Sequence, residues 1–241
     1  MSQGKLYIVA TPIGNLNDIT FRAVETLKNV DLILCENKSV SARILNHFSI
    51  QTPLQTLFQT QENKLDWITE KIKQGKSIAY ISDAGTPGLS DPGANIVRIC
   101  RKESIPIVPI PGVSALATIL SVSGMQANPT LFLGFLSEKK NRKRKELEEY
   151  KNLEAVLVIY ESVYKLPDTL SAIHEIYPES EVLIGRELTK LHEELILVKS
   201  TEIPSLKFVQ KGEFVILINN HLKKIAKADR QPTDIDYREV E

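Results

Sequence analysis

The chain has 241 residues, of which 42% are hydrophobic and 25% charged, a balance that excludes disorder along its whole length. Its 30 basic and 30 acidic residues give a formal net charge of zero, which excludes a general positive coat for nucleic acid, so that any such contact must come from a local patch. The sequence has no signal-peptide pattern and no run of 18 apolar residues, and Cys35 and Cys100 both lie in apolar segments, so we expect a cytoplasmic protein with buried, reduced thiols.

The first half alternates short apolar runs with amphipathic segments. The first run, Leu6 to Ala10, is typical of a buried strand. The helix predicted after it has Asp18 or Thr20 as its N-cap and puts one face of apolar residues together: Ala23, Val24, Leu27 and Val30. Further strands are predicted over residues 32–35, 77–81 and 105–110, and further helices over 63–74, 95–101 and 113–123. This alternation predicts a mainly parallel sheet with helices on both faces.

The second half has more strands than helices. Strands are predicted over residues 130–135, 155–160, 182–185, 195–198 and 214–218, and helices over 142–151 and 166–177. This pattern favours a second, mixed α/β domain. We predict an N-terminal domain over residues 1–128, a C-terminal domain over 129–221 and a charged, loosely held tail over 222–241, with the boundary at Asn128-Pro129.

Three loops rich in Gly and Pro follow predicted strands. They are TPIGN (11–15), DAGTPGLSDPG (83–93) and PIPGVSA (109–115). Glycine lets backbone amides approach a ligand closely, and proline limits the entropy that a loop loses on binding. One such loop could be an ordinary turn, but the carboxyl ends of parallel strands meet at one edge of a sheet. We therefore expect the three loops to converge on one pocket.

The spacing of the motifs excludes several other kinds of site. Gly75-Lys76-Ser77 resembles the end of a phosphate-binding P-loop, but Glu70 stands where that motif needs its first Gly. The dinucleotide motif G-x-G-x-x-G and the nucleophile motif G-x-S-x-G are absent from the sequence. The four His residues are widely separated, so we predict no metal site. A pocket without phosphate or metal machinery suits a sulfonium cofactor, because that reagent is already activated.

One dense basic run, KKNRKRK, occupies residues 139–145. Such a run is commonly a solvated helix face. On a chain of zero net charge it is also the best candidate for phosphate contact, through six cations: Lys139, Lys140, Arg142, Lys143, Arg144 and Lys145. No aromatic stacking platform accompanies the run. We therefore expect recognition of RNA by shape and backbone rather than by unstacked bases.

Seven segments, in chain order and spanning residues 6–218, carry a family pattern: LYIVATPIGNLNDIT (6–20), YISDAGTPGLSDPG (80–93), PIVPIPGVSAL (106–116), FLGFLSEKKNRKRK (132–145), VIYESVYKL (158–166), GRELTKLHEE (185–194) and GEFVILI (212–218). They resemble the tetrapyrrole methylase superfamily of S-adenosylmethionine-dependent methyltransferases. Within it they are most similar to the bacterial branch that 2′-O-methylates a cytidine in the decoding region of 16S ribosomal RNA. That branch usually carries Glu-Asp-Thr-Arg where this chain reads Glu36-Asn37-Lys38-Ser39, and its members usually extend further at the C-terminus.

The resemblance implies a class III methyltransferase fold, in which two α/β domains hold S-adenosyl-L-methionine in the cleft between them, usually in a homodimer that acts on 16S rRNA or the small ribosomal subunit. By position, Pro12 would lie at the pocket floor, and Tyr160, Glu161 and Leu188 of the second domain would close over the adenine. The remaining contacts implied for the cofactor are made by small or apolar residues: Ala84, Gly85, Thr86, Leu89, Val113, Ser114 and Ala115.

A ribose hydroxyl is a poor nucleophile, so a positioned base is expected to assist its methylation. The candidates are Glu36, at a strand end, and the group Glu187, Lys190 and His192; each could instead be a surface or structural charge. Three functions compete. The first is an rRNA ribose methyltransferase, which the basic run favours. The second is a methyltransferase acting on a tetrapyrrole or another small molecule. The third is a catalytically weakened cofactor- or RNA-binding module, suggested by the altered residues 37–39.

Overall fold

The computed structural model describes residues 4–57, 65–209 and 211–221. They divide into two compact units. The first contains the chain up to Ile119 together with Glu187–Glu193, and the second contains Leu120–Arg186 and the chain from Glu194 onward. None of the helices in these described residues is long and apolar enough to cross a membrane.

The first unit is built on a parallel sheet of five strands in the order β3-β2-β4-β1-β5. Its central strands are buried on both faces, which is why they read as continuous apolar runs in the sequence. The strands are β1 (Leu6–Val9), β2 (Leu32–Cys35), β3 (Leu54–Thr56), β4 (Ile78–Ile81) and β5 (Ile107–Ile110). The predicted parallel sheet is therefore confirmed.

Helices cover both faces of this sheet, as predicted. Alternate residues of each strand point to opposite faces. Ile78 and Tyr80 pack in a core with helices α3 (Asp66–Lys73) and α4 (Gly93–Lys102). Ala79 and Ile81 pack in another core with α1 (Phe21–Asn29) and α2 (Lys38–His47). The chain therefore leaves β1 toward one face and β4 toward the other. These two strands are neighbours, and such a switch point is where open α/β sheets bind ligands.

Helix α2 and the short strand β3 of the first unit were not predicted. The N-cap of α1 is Thr20, whose hydroxyl accepts a hydrogen bond from the Ala23 amide at 3.1 Å, rather than Asp18. Helix α3 begins at Asp66; the first residues of the helix predicted over 63–74 lie outside the described residues. The last helix of the half, α5 (Ala115–Ser121), spans the point at which the two units divide.

The second unit is built on a mixed sheet in the order β6-β7-β10-β8-β9. Only β6 and β7 run parallel; the other neighbours are antiparallel. The strands are β6 (Thr130–Phe135), β7 (Val156–Ser162), β8 (Glu181–Arg186), β9 (Glu194–Lys199) and β10 (Glu213–Asn219). Each coincides with a predicted strand to within a few residues, so the mixed α/β prediction is confirmed.

Two helices, α6 (Lys140–Glu149) and α7 (Leu166–Ile176), pack on one face of this sheet. Leu147 of α6 and Leu170 of α7 lie in one core with Leu157 and Ile159 of β7. By the alternation of a strand, Glu161 points to this helix-covered face and Tyr160 to the opposite one. This difference decides what each of the two side chains can contact.

The segment Glu187–Glu193 belongs to the first unit although it connects two strands of the second. At its base, Arg186 Nε donates to Glu194 Oε2 at 2.7 Å, where β8 ends and β9 begins. The predicted boundary at Asn128-Pro129 stays a prediction, and the predicted tail over 222–241 lies outside the described residues.

Candidate functional site

The loops after β1 and β4 are joined directly through their backbones. The Thr11 amide donates to the Gly85 carbonyl at 2.9 Å, and the Gly85 amide donates to the Thr11 carbonyl at 3.0 Å. Gly85 has a φ of +77°, and a Cβ there would lie 3.2 Å from Cγ2 of Ile13. A side chain at this position would therefore be strained and crowded, which explains the glycine.

The loop after β5 joins the same group. The hydroxyl of Thr86 donates to the Val113 carbonyl at 2.8 Å. Gly112 packs so closely against β1 that a Cβ there would lie 2.9 Å from Cβ of Ala10. The structure thus brings the three Gly/Pro loops into contact at one edge of the sheet, as their positions after parallel strands predicted.

The residues that the resemblance assigned to the cofactor differ in exposure along these loops. Pro12 and Gly85 are buried, whereas Ala84 and Leu89 are exposed. Thr86 and the residues that open α5, namely Val113, Ser114 and Ala115, are partly buried. Small or partly exposed residues in these loops, at the carboxyl edge of the sheet, leave backbone groups within reach of a ligand. Their roles in cofactor binding stay predictions.

Glu36 follows β2 at its carboxyl end, at the same edge of the sheet, and its side chain contacts the loop after β4. Its Oε1 accepts a hydrogen bond from the Asp83 amide at 3.1 Å, and Oδ1 of Asp83 accepts one from the Asn37 amide at 3.0 Å. Burial raises the pKa of the Glu36 carboxyl above its ordinary value, and the carboxylates of Asp83 and Asp91 raise it further, against the hydrogen bond from the Asp83 amide. A carboxyl group with a raised pKa at this edge fits the predicted general base, and this role of Glu36 stays a prediction.

The segment that departs from the family pattern, Asn37-Lys38-Ser39, forms the start of α2. The Asn37 side chain accepts a hydrogen bond from the Ser39 amide at 2.9 Å and so caps the helix. Asn is among the best N-cap residues, because its side chain satisfies an amide that has no partner within the helix. The departure therefore preserves the local fold beside Glu36.

A fifth segment, Glu187–Glu193, packs on the loop after β1. The Asn15 amide donates to Oγ1 of Thr189 at 3.1 Å. A Cβ on Gly14 would lie 2.4 Å from Cγ of Lys190 and 3.0 Å from the Leu188 carbonyl, so only glycine fits there without movement. Leu188 was expected to reach the site from the second domain; it belongs to the first unit instead, because its whole segment docks on the first unit's loop.

The backbone of this segment is held in an unusual conformation. Glu187 and Thr189 have φ values of 51° and 65°, in the left-handed region that non-glycine residues seldom adopt. Lys190 Nζ contacts Glu187 Oε1 at 2.8 Å, and the Thr189 amide donates to Glu193 Oε2 at 2.6 Å. These contacts fix the predicted catalytic pair Glu187 and Lys190 beside the β1 loop, while His192 is exposed.

The structure corrects the prediction for Lys143 and places the Glu161 side chain away from the surface. Lys143, predicted to contact RNA, is only 1% exposed; its Nζ lies 3.0 Å from Glu161 Oε2 and 2.7 Å from the Thr169 hydroxyl. The side chain of Glu161, which was predicted to contact the cofactor, is also buried, at 2% exposed, and accepts a hydrogen bond from the Thr169 hydroxyl at 2.6 Å. A contact between the Glu161 backbone and the cofactor stays a prediction. Both side chains point between the sheet and its helices, where they satisfy each other. The Lys143 ammonium and the Glu161 carboxylate are therefore parts of the core of the second unit.

Tyr160, on the other face of β7, is partly buried. Its ring packs edge to face with Phe132 at 4.8 Å and with Phe135 at 5.8 Å between ring centroids. The predicted contact of Tyr160 with the adenine stays a prediction. The two phenylalanines that hold its ring were not predicted as site residues, because nothing in the apolar run of β6 marks one ring as exposed.

The remaining cations of the basic run lie on α6 or just before it. Arg144 pairs with Glu175 of α7 and is partly buried. Lys140 and Arg142 form exposed pairs with Asp168 and Glu146, each at 3.3 Å. Lys139 and Lys145 are also exposed. Surface pairs of this kind contribute little to stability, so these cations remain able to contact phosphate.

The edge of the first unit suits a cationic methyl donor. It presents the carboxylate of Asp83 beside loops of small residues, and a Cβ on Gly88 would meet no atom within 4 Å. Within residues 4–57, 65–209 and 211–221, no three His, Cys, Asp or Glu side chains are grouped in a way that could hold a metal. Asp91, which sequence reasoning missed, shapes the loop by accepting from the amides of Gly88 at 2.6 Å and Gly93 at 2.7 Å.

Comparisons with known proteins agree with this architecture. The tetrapyrrole (corrin/porphyrin) methylase family matches residues 5–204. A Leptospira biflexa protein named "Ribosomal RNA small subunit methyltransferase I" is 50% identical over 235 residues, covering 97% of this chain and 98% of the relative. A Bacillus subtilis protein of the same name is 43% identical over 218 residues, covering 89% of this chain and 75% of that relative. The crystal structure of uroporphyrin-III C-methyltransferase from Thermus thermophilus complexed with S-adenosyl homocysteine shares the fold, with a TM-score of 0.60 at 15% identity, covering 89% of this chain and 97% of that one.

Proposed function

The chain belongs to the tetrapyrrole (corrin/porphyrin) methylase family and is an S-adenosylmethionine-dependent methyltransferase, and from this premise we propose that its acceptor is the 2′-hydroxyl of a cytidine ribose in the decoding region of 16S rRNA. The proposal depends chiefly on one observation. The chain is 50% identical, over 97% of its length, to a relative whose name refers to small-subunit ribosomal RNA. The exposed cations of α6 are consistent with a polyanionic acceptor.

The residues of the first unit would hold the cofactor mainly through backbone. The loops after β1, β4 and β5 contact one another and would place their amides and carbonyls around it. The hydrogen bond from the Thr86 hydroxyl to the Val113 carbonyl holds the loop after β4 against the loop after β5. When bound, the cofactor supplies a methyl group attached to a sulfonium. After the transfer, the sulfur departs as a neutral thioether. Much of the catalysis therefore comes from holding the acceptor in line with that methyl group.

Glu36 is our candidate for the base. Its Oε1 is held by the Asp83 amide, and its carboxylate would accept the proton of the ribose hydroxyl as the oxygen–carbon bond forms and the carbon–sulfur bond breaks. A carboxyl whose pKa is raised by burial is a stronger base once ionised, which suits this task. Lys190, held by Glu187, would orient the acceptor from the segment that docks on the β1 loop.

The cap formed by Asn37 weighs against a catalytically weakened module, because the altered segment still begins a regular helix next to Glu36. A small-molecule acceptor remains the alternative that experiment must exclude. We also propose a homodimer, on the family resemblance alone; analytical ultracentrifugation tests it.

The decisive experiment maps ribose methylation of 16S rRNA in cells with and without the gene, and then methylates rRNA from the deleted strain with purified protein. We expect one cytidine 2′-O-methyl group to disappear with the gene and to return in vitro, on either free rRNA or small subunits. Uroporphyrinogen III is offered in parallel. Its methylation, with rRNA left unmodified, would replace the ribosomal assignment by the small-molecule one.

A further inference from the structure

Two aromatic side chains are exposed where the parallel strands β6 and β7 end. Phe135, the last residue of β6, is 60% exposed, and Tyr164, in the turn after β7, is 92% exposed. Phe135 pairs with Tyr160 in the register of the two strands, and the two rings meet edge to face at 5.8 Å. Aromatic rings offer a large contact area, and exposed apolar residues grouped at one edge commonly mark interaction sites.

Positive charges gather at the same edge. The chain leaves β6 at Phe135 and enters α6 after Lys139, so the first turn of this helix lies next to the end of the strand. Lys139, Lys140 and Arg142 are exposed there, and the first turn contains no acidic residue. Cations at a helix N-terminus oppose the helix dipole and cost stability. Lys140 and Arg142 pair with the acidic side chains of Asp168 and Glu146, each at 3.3 Å. Such exposed pairs are weak, so a phosphate can replace the acidic partner, and the turn favours an anionic ligand.

Two contacts tie the turn that carries Tyr164 to the start of α6. Lys165, the next residue, donates from Nζ to Glu138 Oε1 at 2.7 Å in the β6–α6 connection. The buried Nζ of Lys143 also lies 3.5 Å from the Lys165 carbonyl. The exposed rings and the exposed cations therefore share one edge of the second unit and are held there by its own side chains.

We propose that this edge binds unpaired nucleotides of an RNA. Phe135 and Tyr164 would stack on bases, and Lys139, Lys140 and Arg142 would contact the flanking phosphates. Aromatic rings accept a base on their face only when that base is not stacked in a helix, whereas cations alone bind duplex and single strands alike. The combination therefore selects for single-stranded segments, and it supplies the aromatic platform that the basic run itself lacks. The inference rests on the proposed ribosomal RNA substrate and specifies which part of that RNA the second unit contacts.

The test compares a short single-stranded oligoribonucleotide with the same strand annealed to its complement, by fluorescence anisotropy with the full chain. Replacing either ring, as Phe135→Ala or Tyr164→Leu, is expected to weaken single-strand binding about 5- to 160-fold, which corresponds to the usual contribution of one base stacked on an aromatic side chain. Duplex binding and the salt dependence of affinity are expected to stay near wild type, because phosphate contacts are retained. Tyr164→Phe keeps the ring and should bind like wild type.

Phe21→Ala is the matched control, because Phe21 is a 97% exposed aromatic residue in the first unit. It should leave RNA binding unchanged. Wild-type affinity for single strands in both Phe135→Ala and Tyr164→Leu, in a protein that methylates rRNA, would overturn this inference alone. A wild-type chain that neither binds nor methylates rRNA would overturn the proposed function with it. Loss of self-association, with RNA affinity intact, would assign the edge to a second copy of the chain and would also overturn it.

Discussion

The backbone amide of Asn15 donates a hydrogen bond to the hydroxyl of Thr189 at 3.1 Å, across 174 positions of sequence. This bond fastens Glu187–Glu193 to the loop after β1, one of the loops expected to hold the cofactor. Thr189 makes it from a φ of 65°, which is unfavourable for a β-branched residue. The contact thus carries a backbone strain, and this combination of strain and position favours a functional role.

Thr189→Val is expected to loosen this segment while keeping the shape of the side chain. Loss of the hydroxyl leaves the Asn15 amide without this acceptor. From the usual net free energy of one hydrogen bond, we expect kcat/KM for methyl transfer to fall roughly 2- to 10-fold. Thr189→Ser retains the hydroxyl and should restore the rate. Hydrogen exchange at the Asn15 amide gives an independent readout, faster in the valine variant and unchanged in the serine one. Equal exchange in both variants would contradict the fastening role.

Glu36→Gln tests the base. We expect turnover to fall about 10²- to 10⁴-fold, the usual contribution of a positioned base, while calorimetry shows nearly unchanged affinity for S-adenosylmethionine. The acid limb of the wild-type pH–rate profile should have its midpoint above the ordinary glutamate pKa, because burial raises the pKa of Glu36. Unchanged single-turnover rates in Glu36→Gln would remove Glu36 from the mechanism.

The raised pKa of Glu36 also makes a prediction for stability. The folded chain holds this proton more tightly than the unfolded chain, so the free energy of unfolding falls as pH rises from the unfolded-state pKa through the raised folded-state pKa. Glu36→Gln removes that titration. Relative to wild type, its urea midpoint should therefore rise across this window and become constant above it.

Glu103→Gln provides a control of opposite sign. The hydrogen bond and charge of Lys73 lower the pKa of the exposed Glu103 carboxyl, so its stabilisation is present above the unfolded-state pKa and is lost as pH falls through the lowered one. Its urea midpoint should fall, slightly, relative to wild type as pH rises. A difference with the same sign in both variants would contradict the role of burial at Glu36.

Lys143→Met is expected to destabilise the second unit strongly. Removing one member of a buried ion pair leaves Glu161 charged and without its main partner, at a cost of about 3–5 kcal/mol. Lys145→Met, an exposed lysine on the same helix, should change stability by less than about 0.5 kcal/mol. Urea unfolding of the two variants checks the contrast. Equal midpoints would show that the Lys143–Glu161 pair does not support the fold.

Local pattern was sufficient to predict most of the architecture, because strands buried on both faces read as continuous apolar runs. Helix α2 was missed for a physical reason. Its sequence KSVSARILNH is rich in residues of low helix propensity, and one of its buried positions is Ser41, so no clear apolar stripe is visible. Strand β3 has only three residues, Leu54–Thr56, and lies at the edge of its sheet, where burial imposes little pattern.

The candidate site was predictable only in part. Convergence of the loops follows from parallel strands, so Gly85 and Val113 were placed correctly in relation to each other. The burial of Lys143 could not be predicted, because a run of basic residues does not show which side chain points into the core. The docking of Thr189 on Asn15 depends on tertiary structure that links distant parts of the chain. Sequence spacing carries no signal for such a contact.

The position of Glu187–Glu193 between β8 and β9 has a consequence for synthesis on the ribosome. The first unit includes Glu187–Glu193, which emerge only after most of the second unit has been made. A nascent chain stopped at Ile119 would contain the whole parallel sheet but not the segment that packs against Gly14. We therefore expect an amino-terminal fragment that ends at Ile119 to lack the contacts that Glu187–Glu193 makes with the loop after β1.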